Sequence, residues 1–426
     1  MKSEQNRPLA VLVNGPRHLF NAVGAYYAFE LARHFDVILI VPENCADLPA
    51  IKKLSELPAI REVVYLPERQ NNAAFHLTAY RVAQRISKLA PTLLLQHSDC
   101  YPHNFYFSQM MPVSCVQGSF ANGVTLNQDI DFDYIRRNRI AAFARRLRLP
   151  LNIATAFYRL REGWNDKWHH SIIPFFLTGR VFQPPQNTIT GGSGRAAPRS
   201  RFRMMYTQRE IEWQRKAVPN EKLVLVQPPL KTVGPEFHAY LELPERQSGI
   251  ALLPTWGVLD LLAAQIGSAE AQRSMFEIWR DTLLALRERL GPLPMRVKLH
   301  PAAASDPRAH QIMEQLAQAI DGLIVVAPSI SAETVILSSS CVVGDFSSVL
   351  WWTYQLGGRT IVSVDPWLLP GADEMRYYPG IVYVRTPAEI AHADLRPPAR
   401  SHNHAPTVTQ FLQDQTTGKT FGRDDP

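Results

Sequence analysis

Apolar and polar positions along the N-terminal half switch repeatedly between two periods. Pro8–Gly15 is a near-continuous apolar run, whereas Phe20–Phe35 spaces its apolar residues every three or four positions. The runs Asp36–Pro42, Glu62–Pro67, Thr92–His97 and Val113–Gln117 repeat the first pattern, and Asp47–Leu57 and Ala73–Leu89 repeat the second. Short apolar runs alternating with helices of ten or more residues predict parallel strands covered on both faces. Arg203–Thr207 and Lys222–Gln227 read as the last strands of this half, which breaks at Pro228-Pro229. Between them, Gln183–Arg201 is rich in Pro and Gly and poor in apolar residues, which predicts a surface loop.

The C-terminal half repeats the alternation. Ile250–Leu253, Met295–Leu299, Leu323–Ala327, Cys341–Gly344, Arg359–Val364 and Gly380–Val384 read as strands. Gln272–Leu290 is a helix with Met275, Ile278, Trp279 and Leu286 on one side, closed by Gly291-Pro292. Arg308–Ile320 and Ser347–Leu356 are further helices, the latter stopped by Gly357-Gly358. The expected fold is therefore α/β: two Rossmann-like doubly wound domains, 1–235 and 236–395, facing across a cleft and followed by a polar tail, 396–426.

Composition narrows the class. Of 426 residues, 46% are hydrophobic and 19% charged, which excludes a disordered chain. No stretch reaches the ~18 consecutive apolar residues of a membrane span, and Leu9–Val13 is too short for a signal-peptide core. Cys45, Cys100, Cys115 and Cys341 form no C-x-x-C pair, which points to a reduced, cytoplasmic protein without a zinc site. No metal and no cofactor is expected.

In doubly wound sheets ligands sit beyond the carboxyl ends of the strands. Three polar clusters of the second half fall there: Pro254-Thr255-Trp256, Lys298-Leu299-His300-Pro301 and Asp345-Phe346-Ser347-Ser348. Serines opening a helix set hydroxyls beside backbone N–H groups that lack intrahelical partners, at the positive end of the helix dipole, which suits a phosphate. Asp345 and Ser347 read equally as ordinary N-caps, and His300 as a strand-end hydrogen-bonding group. As ligand residues, Thr255, Lys298, Asp345, Ser347 and Ser348 hold phosphate and His300 donates a proton.

LLPTWG, VKLHP and GDFSSVLWWTYQLGGRTIVSVD, in this order, resemble the C-terminal half of the CDP-glycerol glycerophosphotransferases, the teichoic-acid polymerases and primases. That family carries P-T-[WF], K-x-H-P and D-Y-S-S in the same sequence. The resemblance spans roughly residues 200–365 and implies a GT-B transferase acting on a CDP-activated donor. Phe346 stands where the family has Tyr, and Gln117-Gly118-Ser119 is the nearest counterpart of its H-G-T-P-x-K loop. The H-P and S-S pairs are also similar to those of bacterial sialyl-, polysialyl- and Kdo transferases, which use CMP-sugars. The implied acceptor is a hydroxyl of a cell-surface polysaccharide, a teichoic-acid-like polymer or a lipid-linked precursor.

In the first half the strand-end candidates are Asn14-Gly15-Pro16-Arg17-His18, Gln96-His97-Ser98-Asp99 and Gln117-Gly118-Ser119. His97 or Asp99 is placed to deprotonate an acceptor hydroxyl, with Gly15, Gln117 and Gly118 on the acceptor side. The bland alternative is that these residues cap a helix starting near Tyr101.

Lys plus Arg exceeds Asp plus Glu by 45 − 38 = 7. Arg136, Arg137, Arg139, Arg145, Arg146, Arg148, Arg159 and Arg161 follow one another with no acidic residue between them. With Ile140, Phe143, Ala144 and Leu147 in one helical sector, this reads as a basic amphipathic helix on the anionic inner face of the plasma membrane. A solvated face packed on the domain explains it equally. No nucleic-acid reader motif accompanies the arginines. Two rival functions are a nucleotide-sugar 2-epimerase on the same scaffold and a non-enzymatic basic adaptor.

Overall fold

The computed structural model describes residues 7–15, 23–67, 73–97, 102–120, 144, 148–150, 152–157, 160, 172–180, 200–217, 223–243, 248–255, 257–300, 303, 306–327, 330–345, 348–364, 380–399 and 404–417. The chain divides into two compact units, one of residues 1–124, 155–241 and 403–426, the other of 125–154 and 242–402.

The first unit is built on a seven-stranded sheet of β1 (Leu9–Val13), β2 (Asp36–Pro42), β3 (Ile60–Leu66), β4 (Leu93–Gln96), β5 (Val116–Phe120), β6 (Phe202–Met205) and β7 (Leu223–Leu225). Its order is β3-β2-β1-β4-β5-β6-β7, and every pair is parallel. All five residues of β1 are buried, as a strand covered on both faces requires. Helices α1 (Ala25–Leu31), α2 (Pro49–Ser55), α3 (Ala73–Ser87), α4 (Pro102–Met110), α5 (Ile173–Thr178), α6 (Gln208–Ala217), α7 (Pro229–Thr232) and α8 (Gly234–Tyr240) accompany it. In α3, Phe75, Ala79, Ala83 and Ile86 recur at helical spacing and join the core formed by Val11, Val13, Ile38, Ile40, Leu94 and Phe105–Phe107.

The second unit carries β8 (Ile250–Leu253), β9 (Met295–Val297), β10 (Leu323–Val325), β11 (Cys341–Gly344), β12 (Thr360–Val364) and β13 (Val382–Val384) in the order β10-β9-β8-β11-β12-β13, again all parallel. Its helices are α9 (Gly257–Ile266), α10 (Ser268–Leu290), α11 (Pro307–Ala319), α12 (Ala332–Leu337) and α13 (Ser348–Leu356). In α10, Met275, Trp279, Leu283 and Leu286 are buried against β8, β9 and α11 residues of one core. Arg359 is buried and donates to the Ile336 carbonyl (3.0 Å) and the Gly357 carbonyl (2.8 Å), fastening the turn before β12 to the end of α12.

Three sequence expectations shift. The strand expected at Val113–Gln117 is β5, three residues later, because Val113 stands 85% exposed in the turn after Pro112 while Val116–Phe120 is buried throughout. The break expected at 235/236 falls at 241/242, since α8 packs on α1 through Phe237 against Tyr26 and Phe29. The segment expected as a polar tail forms α14 (Val408–Thr417), with Val408, Phe411 and Leu412 buried in the first unit. The Phe411 ring meets Phe202 edge-on at 4.8 Å, and buried Glu30 accepts from the Thr409 N–H (3.1 Å) and hydroxyl (3.2 Å). The expected loop 183–201 lies outside the described residues up to 199.

Both sheets begin with the order 3-2-1-4-5-6. The order reverses between β1 and β4 in the first unit and between β8 and β11 in the second. At such a reversal the connections leave in opposite directions and open a crevice at the carboxyl ends.

Candidate functional site

In the second unit, β9, β8 and β11 are adjacent, so the three polar clusters emerge side by side at the carboxyl ends, on either side of the reversal. Thr255 and Asp345 join across it. The Thr255 N–H donates to Asp345 Oδ1 (2.5 Å), and the Thr255 hydroxyl donates to the Asp345 carbonyl (2.9 Å). Asp345 is fully buried. Its carboxylate holds the loop after β8, and the Thr255 hydroxyl proton is directed at a backbone carbonyl rather than outward. The two residues thus act as a clasp that sets the spacing of the loops. Gly344 serves the same approach, since a Cβ there would lie 3.1 Å from the Leu253 carbonyl oxygen and 3.2 Å from Leu350.

Lys298 follows β9, and its N–H continues the pairing to the Leu252 carbonyl (3.0 Å). Its side chain is buried, and burial lowers the ammonium pKa from its ordinary value. The strand ends at Val297; beyond it Lys298 is buried and His300 exposed. Ser348 opens α13, a nine-residue helix that packs against β11 and β12. Trp256, Pro301, Phe346 and Ser347 lie outside the described residues. The structure therefore brings Thr255, Lys298, His300, Asp345 and the start of α13 to one edge of one sheet. A cation, a helix start and an exposed imidazole there suit an anionic phosphate ester.

The corresponding edge of the first unit has different chemistry. Gln96 at the end of β4 is in register with Val13 of β1 and Ser119 of β5. Gln117, two residues before Ser119, exchanges hydrogen bonds with Ser108 of α4: its Oε1 accepts from the Ser108 hydroxyl (3.0 Å) and its Nε2 donates to the Ser108 carbonyl (3.2 Å). Residues two apart on a strand share a face, so Gln96 and Ser119 point to the side on which α4 packs. His103, second residue of α4, is buried, and burial pushes its pKa down to about 4 against the opposing influence of the Asn14 backbone, keeping the imidazole neutral. Asn14, Gln96, His97, His103, Asn104 and Ser119 are all buried. Among the described residues, Asn14 Nδ2, both amide atoms of Gln96 and of Asn104, and Ser119 Oγ have no hydrogen-bond partner. An unmet buried polar group costs about 1–3 kcal/mol.

His97 is buried with its ring edge-on to Phe120 (5.6 Å, 74°). Gln117 and Gly118 have structural accounts: Gln117 is fully engaged by Ser108, and a Cβ at Gly118 would lie 2.3 Å from the Phe202 ring. Gly15 ends the same edge and is buried; Pro16, Arg17, His18, Ser98 and Asp99 lie outside the described residues. His103 and Asn104 are not among the sequence candidates; the signal is a polar pair directly after Pro102, ahead of the aromatic run Phe105–Phe107.

Of the arginine segment, Arg136, Arg137, Arg139, Arg145, Arg146, Arg159 and Arg161 lie outside the described residues. Arg148 is exposed with φ 53°, and Ala144 is helical and buried. Phe157 is 62%, Leu160 72% and Phe176 80% exposed. No helix among the described residues is long and apolar enough to cross a membrane.

No protein-family profile matches the chain, and no curated protein matches it in sequence. Solved structures do. UDP-GlcNAc 2-epimerase from Neisseria meningitidis, bound to UDP-GlcNAc, aligns over 90% of this chain and 89% of its own at 11% identity, with a TM-score of 0.50. The wall teichoic acid polymerase TagF aligns over 90% and 78% at 13% identity (TM-score 0.46), and the E. coli heptosyltransferase WaaC over 95% and 99% at 12% (0.42). The first of these likenesses agrees with the strand orders: the chain is an α/β protein of two Rossmann-like domains, the fold of the GT-B group.

Proposed function

We propose that this protein is a transferase that moves a glycerol-phosphate or sugar unit from a CDP- or CMP-activated donor to a hydroxyl of a cell-surface polysaccharide, a teichoic-acid-like polymer or its lipid-linked precursor. One observation carries the reading: Thr255, Lys298, His300 and Asp345, of the P-T-W, K-L-H-P and D-F-S-S segments, stand at the carboxyl ends of three adjacent parallel strands that span the order reversal of the second sheet. A buried ammonium there meets a phosphate with little competition from water. Lys298 neutralises the donor's phosphates, the start of α13 with Ser347 and Ser348 orients them, and the Thr255–Asp345 clasp sets the gap. With CDP-glycerol, the acceptor oxygen forms a bond to the β-phosphorus as the bond to the bridging oxygen breaks. The acceptor proton passes to solvent, and CMP leaves with the electron pair, assisted by His300.

Incubation of the full chain with CDP-glycerol, CMP-sialic acid and UDP-GlcNAc, with and without a glycan acceptor, tests this. Acceptor-dependent release of CMP is the expected result. Conversion of UDP-GlcNAc to its 2-epimer without an acceptor would replace the reading with an epimerase.

Membrane contact belongs to the same proposal. Phe157, Leu160 and Phe176 are exposed, and Phe157 and Leu160 fall within the arginine-rich stretch of sequence, a combination of apolar and cationic groups that suits an anionic bilayer surface on the cytoplasmic side. Flotation with phosphatidylglycerol vesicles but not with phosphatidylcholine vesicles is expected; equal recovery with both refutes the contact.

A further inference from the structure

We infer that Glu30 is a positioning residue: its buried carboxylate ties the two chain crossings that bracket the second sheet to one helix of the first unit, and transfer depends on that tie. The chain leaves the first unit between 241 and 242 and returns to it between 402 and 403. Thr232, at the end of α7, precedes the first crossing, and Thr409, in α14, follows the second. Both converge on Glu30 of α1. Its Oε2 accepts from the Thr232 hydroxyl (3.1 Å), while its Oε1 accepts from the Thr409 N–H (3.1 Å) and hydroxyl (3.2 Å). Glu30 is 2% exposed, so these bonds form away from competing water. Helices α7, α8 and α14 all pack on α1.

The tie does not hang on ionisation. Burial raises the Glu30 pKa, opposed by the Thr409 and Thr232 hydrogen bonds and by Arg33. The ionisable groups that bear on it are Arg33 and Tyr27 of α1 and Tyr206 after β6. The Thr232 hydroxyl has a second acceptor, the Pro229 carbonyl (3.3 Å). When Oε2 takes up a proton it donates to the Thr232 oxygen, whose own proton turns to Pro229, and the bonds to Oε1 stay as they are. A glutamine reproduces that arrangement through its amide N–H, whereas an alanine removes all three bonds. The same helix reaches the carboxyl ends of the sheet. Tyr27, one turn before Glu30, shares a hydrogen bond with the Tyr206 hydroxyl just past β6 (2.9 Å), and its ring centroid lies 4.2 Å from that of Phe120 at the end of β5. Each crossing also has apolar anchors, Phe237 against Tyr26 and Phe29 and Phe411 against Phe202, so loss of the Glu30 side chain loosens these segments without unfolding the unit.

The dependence of transfer rests on the function proposed above; the tie itself does not. Hydrogen–deuterium exchange of the full chain, as wild type, Glu30→Ala and Glu30→Gln, reads the tie without any substrate. Alanine is expected to speed amide exchange about tenfold in both 229–240 and 408–417, while the glutamine variant exchanges like wild type. Acceleration in neither segment or in only one, or equal acceleration by glutamine, overturns the tie. With CDP-glycerol and a glycan acceptor, Glu30→Ala is expected to lower kcat for CMP release at least about tenfold while CDP binds with the wild-type Kd, and Glu30→Gln restores the rate. An unchanged kcat, or a CDP affinity that falls in step with the rate, overturns the positioning role. If wild type releases no CMP, the dependence of transfer falls with the proposed function, and exchange alone decides the tie.

Discussion

At the reversal of strand order in the second unit stand a buried ammonium (Lys298), a buried carboxylate (Asp345) and the start of an α-helix. At the same point of the first unit stand three amides, a hydroxyl and a neutral imidazole, with the buried Arg203 in register with Ser119 on the neighbouring strand. The two sheets share a strand order, so topology alone does not distinguish them. Topology fixes where a ligand is received, and the few side chains just past each strand fix its charge. The second edge, with a buried cation and a helix start, suits an anion; the first is built mainly from amides and a hydroxyl.

The sharpest way to break the contrast is to remove the cation. Lys298→Met is expected to lower the transfer rate about 10²–10³-fold with no loss of Tm, because the ammonium is buried at a cost to the fold. Unchanged turnover in a steady-state assay would take Lys298 out of the site.

Next in size is a pH effect confined to the first unit. Thr207 and Glu210 form a capping box at the start of α6: the Glu210 N–H donates to the Thr207 hydroxyl oxygen (3.2 Å), and that hydroxyl faces the Glu210 carboxylate (3.3 Å). Burial pushes the Glu210 carboxyl up to about 7 despite these bonds and the nearby Arg203. The native state therefore holds a proton that the unfolded chain releases near pH 4.5. This group's stabilisation is full below pH 4.5 and is lost as pH rises through about 7, an effect of about 3 kcal/mol. Urea unfolding at pH 5 and pH 8 should show a larger difference in wild type than in Glu210→Gln; equal differences would contradict the assignment.

Smaller effects test the two edges as scaffolds. Gly118→Ala drives a Cβ into the Phe202 ring and is expected to destabilise by about 1–3 kcal/mol, relieved by Phe202→Leu in the same chain. Thr255→Val loses one hydrogen bond of the clasp, about 1 kcal/mol, and loosens nucleotide binding more than it lowers Tm. Calorimetry and thermal unfolding of each variant check both.

Much of this architecture is legible in the sequence because buried parallel strands are written as unbroken apolar runs, as in Leu9–Val13 and Cys341–Gly344. The second edge is legible for the same reason: its polar residues interrupt those runs abruptly. What escapes is long-range or weakly apolar. Helix α14 has only three buried apolar side chains among polar neighbours, so it reads as a tail until Phe202 and Glu30, far away in sequence, provide its partners. The Thr255–Asp345 clasp joins residues ninety positions apart. Nothing in the order Asp-Phe-Ser-Ser tells that the aspartate faces inward rather than capping the helix it precedes. In the first unit, Asn104 sits inside a helix, where its buried amide is invisible to periodicity.

Titration of CDP into the full chain by calorimetry, repeated with Lys298→Met, tests the central claim most directly. Saturable binding to wild type that weakens at least about tenfold in the variant, a difference of about 1.4 kcal/mol, is the predicted result. Equal binding by both proteins, or none by wild type, would contradict the placement of an activated nucleotide at the carboxyl edge of the second sheet.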